Sequence, residues 1–155
     1  MKRSFIGKRG EDTLLDMTDQ PRRPRVYGIG YSGRTVDDIT RILDDLDATL
    51  VDIRFAPYSR NPEFRKEALE RVLGARYVYL RALGNRNYKG GGPVDLVDYA
   101  AGRAALAMLD KPALLMCMCK DPATCHRTVV LHRLAHDGFE TEEWSDHGSK
   151  QLPLW

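Results

Sequence analysis

The fold is decided by "PALLMCMCKDPATCHRTVVLHRLAHDG", residues 112–138. It opens with a nearly continuous apolar run, as expected of a central strand covered on both faces. An Asp-Pro pair follows, with Asp121 suited to cap a helix and Pro122 to its first position. The segment from Asp121 onward then predicts one long helix that stops at Gly138. Strand, turn and helix in immediate succession are the repeating unit of a parallel sheet.

The same unit recurs on the amino-terminal side. "VYGIG" (26–30) predicts a strand running into a glycine- and serine-rich turn. Thr35 caps a helix in which Val36, Ile39, Ile42, Leu43 and Leu46 fall at helical spacing, with acids in the first turn. "ATLVDIRF" (48–55), "RYVYLRAL" (76–83) and, at an edge, "FETEEW" (139–144) read as further strands. "PEFRKEALERVL" (62–73) and "VDLVDYAAGRAALAMLD" (94–110) read as helices between them. The alternation predicts an α/β layered domain over residues 25–146, with a mainly parallel sheet of about five strands flanked by helices. Residues 1–24 read as a flexible basic extension carrying Lys2, Arg3, Lys8, Arg9, Arg22 and Arg23, and 147–155 as a tail.

The totals narrow the class. With 155 residues and 43% hydrophobic content, the chain suits one domain with a real core. A formal charge of +2 provides no global basic field for nucleic acid. Three cysteines, all within nine residues, argue against a secreted disulfide framework and for a reducing cytoplasm. No apolar run is long enough to cross a bilayer, so no membrane partner is expected. Oligomeric state and cofactor have no signature here.

Sites in open parallel sheets form at the carboxyl ends of strands. The four loops expected there carry Ser32 and Arg34; Asp52, Arg54, Ser59 and Arg60; Asn85 to Lys89; and Cys117 to Arg127. Their convergence would surround a thiol with Arg34, Arg54, Arg60 and Arg127. Cys125 and His126 are expected in the first turns of the last helix, where free N–H groups and the helix dipole favour a thiolate or a bound anion.

Several of these residues read equally well without function. Cys117, on an apolar strand, reads as a core thiol, and Met108, Met116 and Met118 read as core. Cys119 and Cys125 read as structural or reactive. Ser32 and Ser59 suit turns, and Asp52 suits pairing with an arginine. His132 and His136 have metal-compatible spacing without a third ligand. The thiols and His126 invite zinc, but a C-x-C on a strand is not the usual C-x-x-C turn. A redox pair of Cys119 and Cys125 is another reading.

"IGYSGRT" (29–35), "LVDIRFAPYSRNPEF" (50–64), "YLRALGN" (79–85) and "LLMCMCKDPATCHR" (114–127) together resemble the uncharacterised YeaO-like family, domain of unknown function 488. The resemblance implies an α/β domain and a site built from Ser32, Arg34, Asp52, Arg54, Ser59, Arg60, Cys117, Cys125, His126 and Arg127. Cys119 departs from the family, where a glutamate is usual. No reaction comes with the family.

Three functions are expected in order. The first is an enzyme, a thiol-dependent hydrolase or transferase, acting on an anionic phosphorylated or nucleic-acid-derived substrate. Cys125 or Cys119 would be its nucleophile, His126 its proton carrier and Asp52 a base or an orienter of arginine; Ser32, Arg34, Arg54, Ser59, Arg60 and Arg127 would bind substrate. The second is a non-catalytic nucleic-acid-binding module stacking bases on Tyr31, Tyr58 and Tyr88. The third is a metal- or redox-sensing domain.

Overall fold

A computed structural model of the chain describes residues 23–90 and 92–146. The predicted extension, apart from residues 23 and 24, and the predicted tail lie outside the described residues. The elements are β1 (Val26–Gly30), α1 (Val36–Leu46), β2 (Thr49–Asp52), α2 (Lys66–Leu73), β3 (Tyr77–Tyr79), α3 (Tyr99–Ala107), β4 (Ala113–Cys117), α4 (His126–His136) and β5 (Thr141–Glu143). The five strands form one sheet in the order β3-β2-β4-β1-β5, and every pairing is parallel. The chain is thus a layered α/β domain, as its alternating pattern predicts.

Side-chain alternation along the strands builds two cores. Ile29, Leu50, Leu114 and Met116 face one way and meet Ile39 and Leu43 of α1 and Leu69 of α2. Val26, Val51, Leu115 and Cys117 face the other way and meet Leu106 of α3 and Val130, Leu131 and Leu134 of α4. The path β1 to β2 to β3 runs in one direction across the sheet with its helices on the first face. The path β3 to β4 to β5 returns with its helices on the second, as crossovers of a single hand require. The helices after β2 and β1 therefore leave on the face opposite to the helix after β4. A crevice opens at the carboxyl rim on each side of β4, where such sheets hold ligands.

Local signals explain the element ends. Thr35 and Asp38 complete a capping box at α1, and Gly138 follows α4 at φ +99°. Three sequence expectations need correction. Pro122–Thr124 is a short 3₁₀ turn capped by Asp121, and α4 begins only at His126, with Cys125 extended at its N-cap. Hence Cys125 precedes the first turn and does not lie within it. β4 ends at Cys117, so Cys119 sits in the following turn and not on the strand. Finally, Met108 and Met118 are 84% and 57% exposed and only Met116 is core.

The glycines of β1 decide how closely the second layer approaches. A Cβ on Gly28 would meet the side-chain ends of Leu131 and Glu143, at 2.8 and 2.9 Å, which can give way only by disturbing the core and the Arg127 grip. A Cβ on Gly30 would overlap the backbone carbonyl of Cys119, which has no rotamer to escape by. We expect Gly30→Ala to lower stability by about 1–3 kcal/mol and Gly28→Ala by less, measured by urea unfolding with tryptophan fluorescence.

Candidate functional site

The crevice between β2 and β4 is a cavity of about 330 Å³. Arg54 and Phe55 from the end of β2, Asn85, Asn87 and Tyr88 from the loop after β3, and Cys117, Met118 and Cys119 from the end of β4 line it, together with His126 at the start of α4. Three of the four predicted loops thus supply its wall.

Arg54 is fixed before any ligand arrives. The buried Asp52 carboxylate accepts from its Nε at 2.8 Å and Nη2 at 2.6 Å, and from its backbone N–H at 3.2 Å. Tyr77 donates its hydroxyl to the same carboxylate at 2.6 Å. The Arg54 Nη1 donates to the Tyr31 hydroxyl at 3.4 Å. Tyr31 itself is stacked on Phe64, with centroids 4.3 Å apart. Burial opposes the Arg54 charge, but Asp52 more than offsets this and raises the guanidinium pKa. Burial and the Asp52 charge push the Tyr77 phenol well up. Asp52 therefore orients the arginine. Among the described residues, one N–H on each terminal nitrogen of Arg54 has no protein acceptor.

The thiols form the cavity's inner end. The Sγ atoms of Cys117, Cys119 and Cys125 all lie within 4.8 Å of one another, and Cys117 and Cys125 are 2.7 Å apart. Cys117 and Cys125 are buried; Cys119 is partly exposed. The His126 Nδ1 is 3.8 Å from the Cys125 sulfur. Its Nε2 lies 3.1 Å from the Ile53 carbonyl, which can only accept, so Nε2 carries a proton and Nδ1 of the neutral ring presents a lone pair. Hydrogen bonds to the other two sulfurs, then burial, raise the Cys117 thiol. The Cys117 hydrogen bond lowers Cys125, helped by His126 and the Arg127 backbone N–H. It also lowers Cys119. Cys117 thus keeps its proton and shares it with its neighbours.

Arg127 is wholly buried behind the thiols. It grips Glu143 of β5 through Nε, at 3.1 Å to both carboxylate oxygens, and through Nη2, at 2.7 Å. Its Nη1 donates to the Cys117 sulfur at 3.0 Å and the Cys119 carbonyl at 2.6 Å. Nη2 also reaches the Lys120 carbonyl at 3.4 Å. All five guanidinium N–H groups are therefore engaged by protein, and the side chain positions the thiol loop.

Arg34 and Ser32 open instead onto the crevice on the other side of β4, a cavity of about 600 Å³ that Arg127, Glu143 and Trp144 also border. Arg34 is tied there to Asp146 at 2.8 Å and to the Gly30 carbonyl at 3.1 Å. Ser59 is buried, and its hydroxyl accepts from the Asn61 N–H. Arg60 is exposed, and neither residue lines either cavity. The four arginines do not gather around one thiol; Arg54 alone shares the cavity with the cysteines. Tyr31 is buried in its stack on Phe64 and closed to bases, whereas Tyr58 and Tyr88 are exposed. His132 and His136 lie exposed on α4.

Sequence reasoning missed Glu143 and Phe55. Glu143 lay inside the predicted edge strand, and its partner is 16 residues away. Phe55 is stacked on Tyr88, with centroids 5.4 Å apart, beneath the Arg81 guanidinium.

Asp52→Asn leaves the buried Arg54 charge without its counter-charge. The expected cost is about 3–5 kcal/mol, read as a lower urea midpoint. Adding Arg54→Met should recover part of it, since the unpaired buried charge is then gone and the amide introduced by Asp52→Asn can still accept from the Tyr77 hydroxyl.

None of the curated proteins and none of the solved structures compared matches the chain. One family does: its model, described as "Domain of unknown function DUF488", matches residues 37–91, from α1 through β2 and β3 into the loop that carries Asn85 and Tyr88. That stretch contains Asp52 and Arg54, the pair that orients one wall of the thiol cavity, and over it the chain is similar to the DUF488 family.

Proposed function

We propose that the chain is a thiol-dependent hydrolase or transferase whose anionic substrate, phosphorylated or derived from nucleic acid, binds in the cavity between β2 and β4. The observation that carries this reading is the meeting in one cavity of Arg54, with N–H groups to offer, His126 and a partly exposed thiol. The cavity also excludes bulk water from one side of the reacting centre, which strengthens each charge within it.

Cys119 is the sulfur best placed to meet substrate. Cys125 is buried and does not line the cavity, and Cys117 lines it while nearly fully covered. In the reaction, the Cys119 proton passes to His126 and the sulfur forms a bond to the electrophilic centre. The bond to the leaving group breaks with its electron pair, and the leaving group takes the proton from His126. Water, or an acceptor hydroxyl in a transferase, then attacks the same centre of the covalent sulfur adduct; its proton passes through His126 to the departing sulfur, whose bond to that centre breaks to restore the thiol. Arg54 holds the anionic group throughout, and the Phe55–Tyr88 stack offers a face to a planar part of the substrate. No helix among the described residues is long and apolar enough to cross a membrane, and the three free cysteines fit a cytoplasmic setting.

The test uses metal-free, reduced protein and iodoacetamide, with peptide mass mapping of the alkylated site. Cys119 should be alkylated first, and inorganic phosphate or a nucleoside monophosphate should slow its labelling. Arg54→Gln, its fold checked by circular dichroism, should abolish that protection. Preferential labelling of another cysteine, or anions that leave the Cys119 rate unchanged, would overturn the assignment. A purely nucleic-acid-binding module would bind an oligonucleotide with a steep salt dependence and keep that binding unchanged in Cys119→Ser.

A further inference from the structure

The C-x-C spacing of Cys117 and Cys119 argues weakly for zinc so long as both residues lie on a strand. They do not: β4 ends at Cys117, and Cys119 occupies the turn beyond it. The turn brings its sulfur back to Cys117 and Cys125, so three Sγ atoms from two chain segments lie within 4.8 Å of one another. We infer that Cys117, Cys119, Cys125 and the Nδ1 of His126 form a Cys₃His site for zinc.

The three sulfurs lie close enough together to share an ion, and the imidazole, beside one of them, must swing toward the other two to complete a tetrahedron. With zinc–sulfur bonds of about 2.3 Å and zinc–nitrogen bonds of about 2.0–2.1 Å, the sulfur–sulfur edge is about 3.8 Å and the sulfur–nitrogen edge about 3.6 Å. The Cys125 Sγ to His126 Nδ1 distance is 3.8 Å. Cys117 and Cys125 are 2.7 Å apart and must separate by about 1 Å to share an ion. Cys119, on a turn, has the freedom to complete the third corner.

The surroundings already have the form of an outer shell. A metal-binding histidine donates its other ring N–H to a carbonyl or carboxylate, which fixes its tautomer. His126 does this: Nε2 donates to the Ile53 carbonyl, and Nδ1 is left toward the sulfurs. Arg127 directs one Nη1 N–H to the Cys117 sulfur and the other to the Cys119 carbonyl. It fixes the turn between two of the ligands. The cavity gives the ion an entry path, since Cys117, Cys119 and His126 all line it. Three sulfurs and one imidazole select a borderline-soft ion over magnesium or calcium. The inference goes beyond the thiol-enzyme reading and does not rest on it. Zinc would occupy the Cys119 sulfur, so the metal-loaded chain is a silent form of such an enzyme.

The experiment titrates reduced, metal-stripped full-length chain with Co²⁺ as a visible substitute, then displaces it with Zn²⁺. One equivalent of Co²⁺ should give the intense visible absorption of a tetrahedral centre and a near-ultraviolet sulfur-to-cobalt charge-transfer band, both erased by one equivalent of Zn²⁺. His126→Gln and Cys119→Ser change partly exposed residues, and far-ultraviolet circular dichroism checks their folds. Each should weaken binding by about tenfold or more, since even outer-shell changes cost about 10–100-fold. Cys119→Ser should also lower the charge-transfer intensity. A weak six-coordinate cobalt spectrum without charge transfer would overturn the site whatever the variants do. So would a charge-transfer spectrum whose intensity and affinity both variants leave unchanged. The iodoacetamide test uses metal-free protein, so either result can fail while the other stands.

Discussion

One buried guanidinium holds the carboxyl rim together. Arg127 rises from α4 into a slot on the second face of the sheet and reaches Glu143 on β5, Cys117 at the end of β4 and the carbonyls of Cys119 and Lys120. Three separate segments are thereby fixed to one planar group. The slot exists because Gly28 and Gly30 present no side chains to that face. A desolvated cation is tolerated only when its charge and all its donors are matched; Glu143 matches the charge, and carbonyls, carboxylate and sulfur match the donors. The position of the thiols follows from this, because the turn bearing Cys119 is set by the carbonyl that Arg127 grips.

A second buried pair does the corresponding task across β4. Asp52 and Arg54 sit at the end of β2, on the face covered by α1 and α2, whereas Arg127 and Glu143 lie on the face covered by α4. The sheet order produces this division. Successive neighbours β2, β4 and β1 send their following helices to alternate faces, so each side of β4 gains a crevice. One pair leaves donors free at its crevice and the other does not.

The layers were legible because they depend on local pattern. The apolar run at 113–117 and the helical spacing in 36–46 each required one answer. The start of α4 was misread because Asp121 and Pro122 satisfy a short 3₁₀ turn as well as a helix, and nothing local tells the two apart. The role of Arg127 depended on a carboxylate 16 residues away, and pairing across a sheet leaves no periodic trace. The alternating glycines in "VYGIG" were the available signal, since two missing side chains on one face of a central strand imply something bulky against it. For the candidate site, the residues near the thiols were legible as a cluster in the chain. Their division from Ser32 and Arg34 was not, because it follows from strand order.

Arg54 has little freedom left to adjust. Its guanidinium plane is set by a two-point grip on Asp52, and that carboxylate is braced in turn by Tyr77. A guest therefore meets a rigid template. Little rotamer entropy remains to be lost when the pocket is filled, and recognition becomes a matter of angle as much as of charge. Lysine, a point charge on a flexible stem, would preserve the sign of the field but lose its direction.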